Sequence, residues 1–198
     1  YDKRIQTRED IVMDALLKEQ LAEGESILWQ GGPEPFETLD KTNKKRFWIT
    51  TVICIAAAIA MLAVYMVKVS EVKPAMIVIL LLICGFAPVR RFLDAAAVRK
   101  LRYVVTDRQL LIVSNEVKRV ALARIPACAL RSDADGHLSF LAGAHALKAR
   151  PRHWRDLTLT GQPNTEPDEP VDSFAFYAVA DKAGLRSAIR RVLPNVQM

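Results

Sequence analysis

The sequence predicts an α+β membrane protein, with an N-terminal amphipathic helix, a two-helix transmembrane hairpin, and then a small β domain closed by a C-terminal helix. Three observations carry this. Two long apolar runs, Trp48–Val67 and Pro74–Val89, contain no charged residue. From Arg102 onward the apolar period changes to two, as in RYVVTDRQLLIVS. Near the C-terminus the period returns to that of a helix. A chain of 198 residues has room for one or two small domains besides the membrane part.

The N-terminal stretch reads as a helix. Thr7 is its N-cap, Glu9 and Asp10 complement the first turn, and Gly24 stops it. Val12, Met13, Leu16, Leu17 and Leu21 form its apolar face, which has three candidate occupants: the protein's own domain, a partner helix or the membrane surface. Met13, Leu17 and Leu21 are the candidate partner-helix contacts. The acidity of the segment argues against anionic lipid. A short strand, Ser26–Gln30, follows and ends at Gly31, Gly32 and Pro33.

The first apolar run has the roughly 20 residues that a bilayer core requires. The second is shorter and reaches across by extension at its ends and by tilt. Ala56, Ala60 and Ala63 in the first and Gly85 in the second, beside Cys84 and Ala87, are small residues that let membrane helices approach closely. Pro88 is expected to bend the second span, and RRFLDAAAVRKL to continue as a juxtamembrane helix. Trp48 and Tyr65 stand roughly 25 Å apart along a helix, a spacing that suits the two interfaces. The domains expected are therefore 1–40, 41–98 and 99–198.

Orientation follows from the positive charges. Lys41, Lys44, Lys45 and Arg46 precede the hairpin and Arg90, Arg91, Arg99, Lys100 and Arg102 follow it, whereas the connecting turn carries only Lys68 and Lys73. Both termini are expected in the cytoplasm. A cleavable leader is not expected, because 47 residues precede the first run; the start at Tyr1 leaves an upstream segment open. The formal charge of +6 is uneven: residues 1–40 carry 4 basic and 10 acidic side chains, residues 41–98 carry 8 and 2, and residues 99–198 carry 16 and 10.

After the spans seven strands are expected: 102–106, 109–114, 117–124, 127–132, 137–141, 156–160 and 173–179. Tight turns at Thr106-Asp107-Arg108, Asn115-Glu116 and Asp133-Ala134-Asp135-Gly136 separate the first five. The closing helix has Asp181 as N-cap and a stripe of Leu185, Ile189, Val192 and Leu193. Two longer loops interrupt the pattern: AGAHALKARPRHWR, basic with a Trp, and GQPNTEPDEPVD, acidic and Pro-rich.

Signals for catalysis are weak. Transport or proton conduction calls for ionisable groups in the spans, and there are none. A membrane haem wants axial ligands at depth, but His137, His145 and His153 all lie in the last domain, and Met61 and Met66 suit lipid or packing. Cys54, Cys84 and Cys128 have neither metal-site nor disulfide spacing. Asp133–Gly136 echoes a calcium loop but lacks its closing Glu and reads as a hairpin turn. There is no G-x-S-x-G and no Gly-rich phosphate loop. No catalytic residue, cofactor or metal is expected. The one conspicuous cluster is Lys148, Arg150, Arg152, His153, Trp154 and Arg155, open to three readings: a solvated loop, a contact with anionic lipid, or a contact with an acidic partner.

ILWQGGP before the spans, YVVTDRQLLI directly after them, RIP at Arg124–Pro126 and the single closing helix resemble bacterial membrane proteins with a pleckstrin-homology-like domain. A vaguer resemblance is to photosynthetic complex assembly proteins. The first implies a PH-like seven-stranded roll plugged by the last helix, and supplies no catalytic function. Phosphoinositide-binding domains of this type use a long basic loop between their first two strands, where the connection Thr106–Gln109 is short. The expectation is thus a non-catalytic accessory subunit or assembly factor of a larger, bioenergetic complex in the bacterial inner membrane. Its partners would be other integral membrane proteins, with anionic lipid possible and neither nucleic acid nor a small-molecule substrate expected. A lipid-surface sensor or scaffold is the alternative, and an enzyme the weakest one.

Overall fold

The computed structural model describes residues 14–15, 17–39, 41–68, 74–114, 116–161 and 169–194. Met13 of the expected partner face lies outside them, as do the side chains of Cys84, Ala87 and Pro88. The chain divides into two compact units, Tyr1–Phe36 with Ala97–Met198, and Glu37–Ala96. The first 36 residues, read from sequence as a separate segment, thus belong to the unit that holds the C-terminal strands.

The smaller unit is helical. Helical residues 14–15 and 17–20 (α1) belong to the larger unit; the two long helices are α2, Lys41–Lys68, and α3, Pro74–Arg99, whose last residues pass into the larger unit. α3 runs past Pro88 through the stretch expected to continue as a juxtamembrane helix. Within α2, Asn43–Val67 has 25 residues at a mean hydropathy of 2.5 and is long and apolar enough to cross a membrane. At about 1.5 Å per residue it exceeds a hydrocarbon core of about 30 Å. Protein does not cover it: Trp48, Ile53, Ile59, Val64 and Met66 are exposed.

One face of α2 is half-buried, through Phe47, Thr51, Cys54, Ala58, Leu62 and Tyr65 at three- and four-residue spacing. Phe47 meets Phe92 of α3 edge-on at 5.6 Å. This corrects the expected small-residue seam. Ala56, Ala60 and Ala63 are exposed, each two residues from the inward stripe and hence about 200° round the helix. The aromatic contact selects the face; Gly85 of α3 is half-buried.

The larger unit has two antiparallel sheets. The first has the order β1 (Ile27–Gly31), β2 (Arg102–Thr106), β3 (Gln109–Val113) and β4 (Val117–Ala121); the second has β5 (Cys128–Ser132), β6 (Leu138–Ala142) and β7 (Phe174–Phe176). β1 pairs with β2 from Ile27↔Thr106 to Gly31↔Tyr103, so neighbouring strands of one sheet flank the whole helical insertion in sequence. A Pro33↔Val179 bridge ties the segment after β1 to the segment after β7.

β2 and β3 are buried on both faces, which corrects the period of two read from sequence: YVV and LLIV are continuous apolar runs of a doubly covered sheet. One face points into the core, where Tyr103 stacks on Phe176 at 4.7 Å and donates its hydroxyl hydrogen to the Tyr177 carbonyl at 2.9 Å. Burial without a charged partner pushes the Tyr103 phenol far above its ordinary value. The opposite face, Val104, Leu111 and Val113 with Val117, is covered by Leu17 and Leu21. Leu17 and Leu21, the described part of the face kept open from sequence, are therefore packed on the protein's own sheet, and Asp14 pairs with Arg102 at 2.8 Å beside them.

The turns are built by side chains. The Thr106 hydroxyl accepts from the amides of Arg108 and Gln109, at 3.2 and 2.9 Å. The Asp107 carboxylate accepts from the Ser26 amide at 3.1 Å, fastening β1 to the hairpin. Asp133 Oδ1 accepts from the amides of Asp135 and His137, both at 2.9 Å, and Gly136 turns the chain with φ +83.

Residues 156–160, expected as a strand, are instead the end of a helix. The basic loop is two helices, α4 (Ala144–Lys148) and α5 (Pro151–Thr160). Pro151 opens α5 with a preset φ. Trp154, Leu157 and Thr158 are buried at helical spacing. The threonines that suggested a strand return their hydroxyls to the preceding turn, Thr158 to the Trp154 carbonyl and Thr160 to the Asp156 carbonyl.

α6, Lys182–Val192, closes the unit against β1 and β2 with Leu185, Ala188 and Ile189 buried. Asp181 caps it: Oδ1 accepts from the Gly184 amide at 2.9 Å and Oδ2 from the Trp29 indole at 3.0 Å. Gly184 is required there, because a Cβ would lie 2.8 Å from the Trp29 ring. These two hydrogen bonds, the amide's first, hold the Asp181 carboxyl below its ordinary range. A lowered native pKa stabilises the fold above the unfolded value of about 3.9, and the contribution is lost as pH falls through the native value. Unfolding followed against pH should show wild type losing stability below pH about 4 more steeply than Asp181→Asn.

Candidate partner-binding surface

The sequence cluster from Lys148 to Arg155 divides into two groups once α4 and α5 form. Lys148, Arg150 and Arg152 are exposed and His153 is half-buried, while Trp154 and Arg155 are each only 2% exposed. The helical turn separates them: Arg150 and Arg152 lie at the start of α5, and Trp154 and Arg155 face inward at its first full turn. The Trp154 indole donates to the Ala149 carbonyl at 3.0 Å, locking the α4–α5 corner. Trp154 is therefore a corner brace and not the surface anchor that an Arg-flanked Trp suggested.

Of these residues Lys148 and His153 line a shallow groove of about 280 Å³ together with His145, Ala149, Asp156 and Leu157, a mostly apolar lining. The Arg152 Nε donates to His153 Nε2 at 3.2 Å, and His153 Nδ1 stands 3.9 Å from Asp156. Arg131 from β5 donates to the Leu147 carbonyl at 2.9 Å, adding a further cation to the corner. His145 is held through its backbone amide by the Asp172 carbonyl and carboxylate. The corner is thus a fixed scaffold with exposed cationic side chains. It is suited to attract an anion by charge. Among the described residues no group of three or more His, Cys, Asp or Glu could hold a metal ion.

A second constellation has no clear signal in the sequence. Phe36, 6% exposed, meets Tyr177 edge-on at 5.4 Å and His137 at 6.5 Å. The Arg99 guanidinium lies 5.1 Å from its ring centre, and that of Arg155 lies 6.0 Å away. Arg99 also donates to the Phe36 carbonyl at 2.7 Å. Next to it, Glu34 contacts His137 Nδ1 at 2.6 Å and Lys182 at 3.4 Å. The only hint was the apolar Phe following P-E-P. Its partners come from four distant parts of the chain, around Arg99, His137, Arg155 and Tyr177, which local patterning does not reach.

Cys128 is buried at the start of β5, and burial raises its thiol pKa; this fits an inert filler. Cys54 is half-buried on α2. No protein-family model matches the chain, nor does any curated protein or solved structure.

Proposed function

We propose that this protein is a non-catalytic, membrane-anchored binding module, an accessory subunit or assembly factor of a larger complex in the bacterial inner membrane. The observation that carries the reading is the insertion of α2 and α3 between β1 and β2, which are neighbours in one sheet. The two chain crossings into the helices therefore leave from hydrogen-bonded neighbouring strands and not from a terminal linker. An anchored domain meets other membrane proteins at a raised effective concentration.

The reading takes α3 as a second span and both termini as cytoplasmic, supported by the positive charges that flank the pair. It takes the β unit as a PH-like roll, supported by four strands plus three and one closing helix. In such a roll the connection between the first two strands is where phosphoinositide-binding domains carry their basic loop. The connection compared with that loop in the sequence, Thr106–Gln109, is a tight turn between β2 and β3, so the reading assigns it no headgroup capture.

The test is purification of the tagged protein from its native membrane in a mild detergent. A stoichiometric set of integral membrane proteins is expected. Recovery of the protein alone, at every detergent tried, would end the accessory-subunit reading.

A further inference from the structure

We infer that the α4–α5 corner is a docking surface for the anionic lipid layer, formed by Lys148, Arg150 and Arg152 with Arg131 beside them. This goes beyond partner binding, and it stands or falls independently of it. Three features point to lipid rather than an acidic protein.

First, Lys148 and Arg150 have no carboxylate partner among the described residues, and the one contact of Arg152 is to His153. Arg102, by contrast, is paired with Asp14, and Lys182 with Glu34. Second, the corner offers no rigid apolar anchor. Trp154 is buried, and Ile27 is the one large hydrophobic of this unit, among the described residues, that is strongly exposed. Protein interfaces draw most of their affinity from buried aromatic and aliphatic anchors, which a peptide would need here. Long cationic side chains on a fixed corner instead suit a fluid charged surface, where position matters less than charge. Third, the chain has a helix able to cross a membrane. Basic residues carried by the same chain add to such an anchor at roughly fivefold per cation that reaches anionic lipid.

The experiment uses the full chain in nanodiscs, one set of phosphatidylcholine alone and one containing phosphatidylglycerol. Backbone amide exchange is followed over residues 144–160. The inference expects slower exchange there only with the anionic lipid. Raising salt to about 0.5 M, where the screening length is about 4 Å, should remove the difference. The triple variant Lys148→Glu, Arg150→Glu, Arg152→Glu should show no lipid dependence. Exchange over β2 and β3 serves as the control for folding; if the triple variant fails it, single reversals at each position replace it. Equal exchange in both lipids overturns the proposal. So does protection that arises only when membrane proteins are added, which would make the corner an acidic-protein site.

Discussion

Phe36→Ala should destabilise the larger unit by about 3–5 kcal/mol. The ring is buried among Tyr177, His137, Arg99 and Arg155, and the residue's own carbonyl accepts from Arg99. Removing the ring opens a cavity and also takes the aromatic face from two guanidinium groups, one of them on a side chain that is almost fully buried. Phe36→Leu keeps most of the volume and should cost clearly less. The checking measurement is amide exchange over β2 and β3 in detergent. The alanine variant should raise exchange there far more than the leucine variant. Equal effects would show that the ring's packing is not what matters. Phe36 and Arg99 also lie beside the two points where the chain passes between units, so the pair ties those two crossings to each other.

Trp29→Ala follows, at about 3–5 kcal/mol for the same reasons of volume. Trp29 is 7% exposed, and its indole donates to Asp181 at the start of α6. The loss should therefore appear at both ends of the sequence, in β1 and in the first turn of α6. Trp29→Phe separates the contributions: it keeps most of the apolar contact but abandons the hydrogen bond, for an expected cost of about 1–2 kcal/mol. It should also release part of the hold on the Asp181 carboxyl, moving it toward the ordinary range. Exchange that rises in β1 alone would mean that the N-terminal strand and the last helix are not coupled as the structure has them.

The sequence made the local elements easy to read and the long-range ones hard. The hairpin at Thr106–Gln109 was legible because turn residues interrupt two β-branched and aliphatic runs, and the structure builds it from the Thr106 hydroxyl. The α6 cap at Asp181 was legible for the same kind of reason, a short polar side chain before an apolar stripe. The membrane-length helix needed only length and composition. Residues 156–160 were misread because Asp-Leu-Thr-Leu-Thr alternates over too few residues to exclude a helix. Pro151 at the first helical position and the Trp154, Leu157, Thr158 spacing were the better signals.

The candidate site was half legible. Charge alone located Lys148, Arg150 and Arg152, but composition cannot say which way a residue faces, and one helical turn carried Trp154 and Arg155 inward. The α1 face shows the same limit. Its apolar stripe was plain, yet only the doubly buried β2 and β3 reveal that the protein itself covers it. Phe36 was invisible because it precedes the helical insertion while its neighbours Arg99, His137, Arg155 and Tyr177 all follow it.

The central claim is that the β unit is held at the cytoplasmic face by a helical pair threaded between β1 and β2. Thiol accessibility across sealed vesicles tests it directly. With Cys54, Cys84 and Cys128 replaced by alanine, single cysteines at Arg108 and Glu71 are labelled with a membrane-impermeant reagent in right-side-out and inverted inner-membrane vesicles. The account predicts that Arg108→Cys reacts only in inverted vesicles and Glu71→Cys only in right-side-out ones. Both positions reacting from the same side, or the protein washing off at alkaline pH, would contradict it.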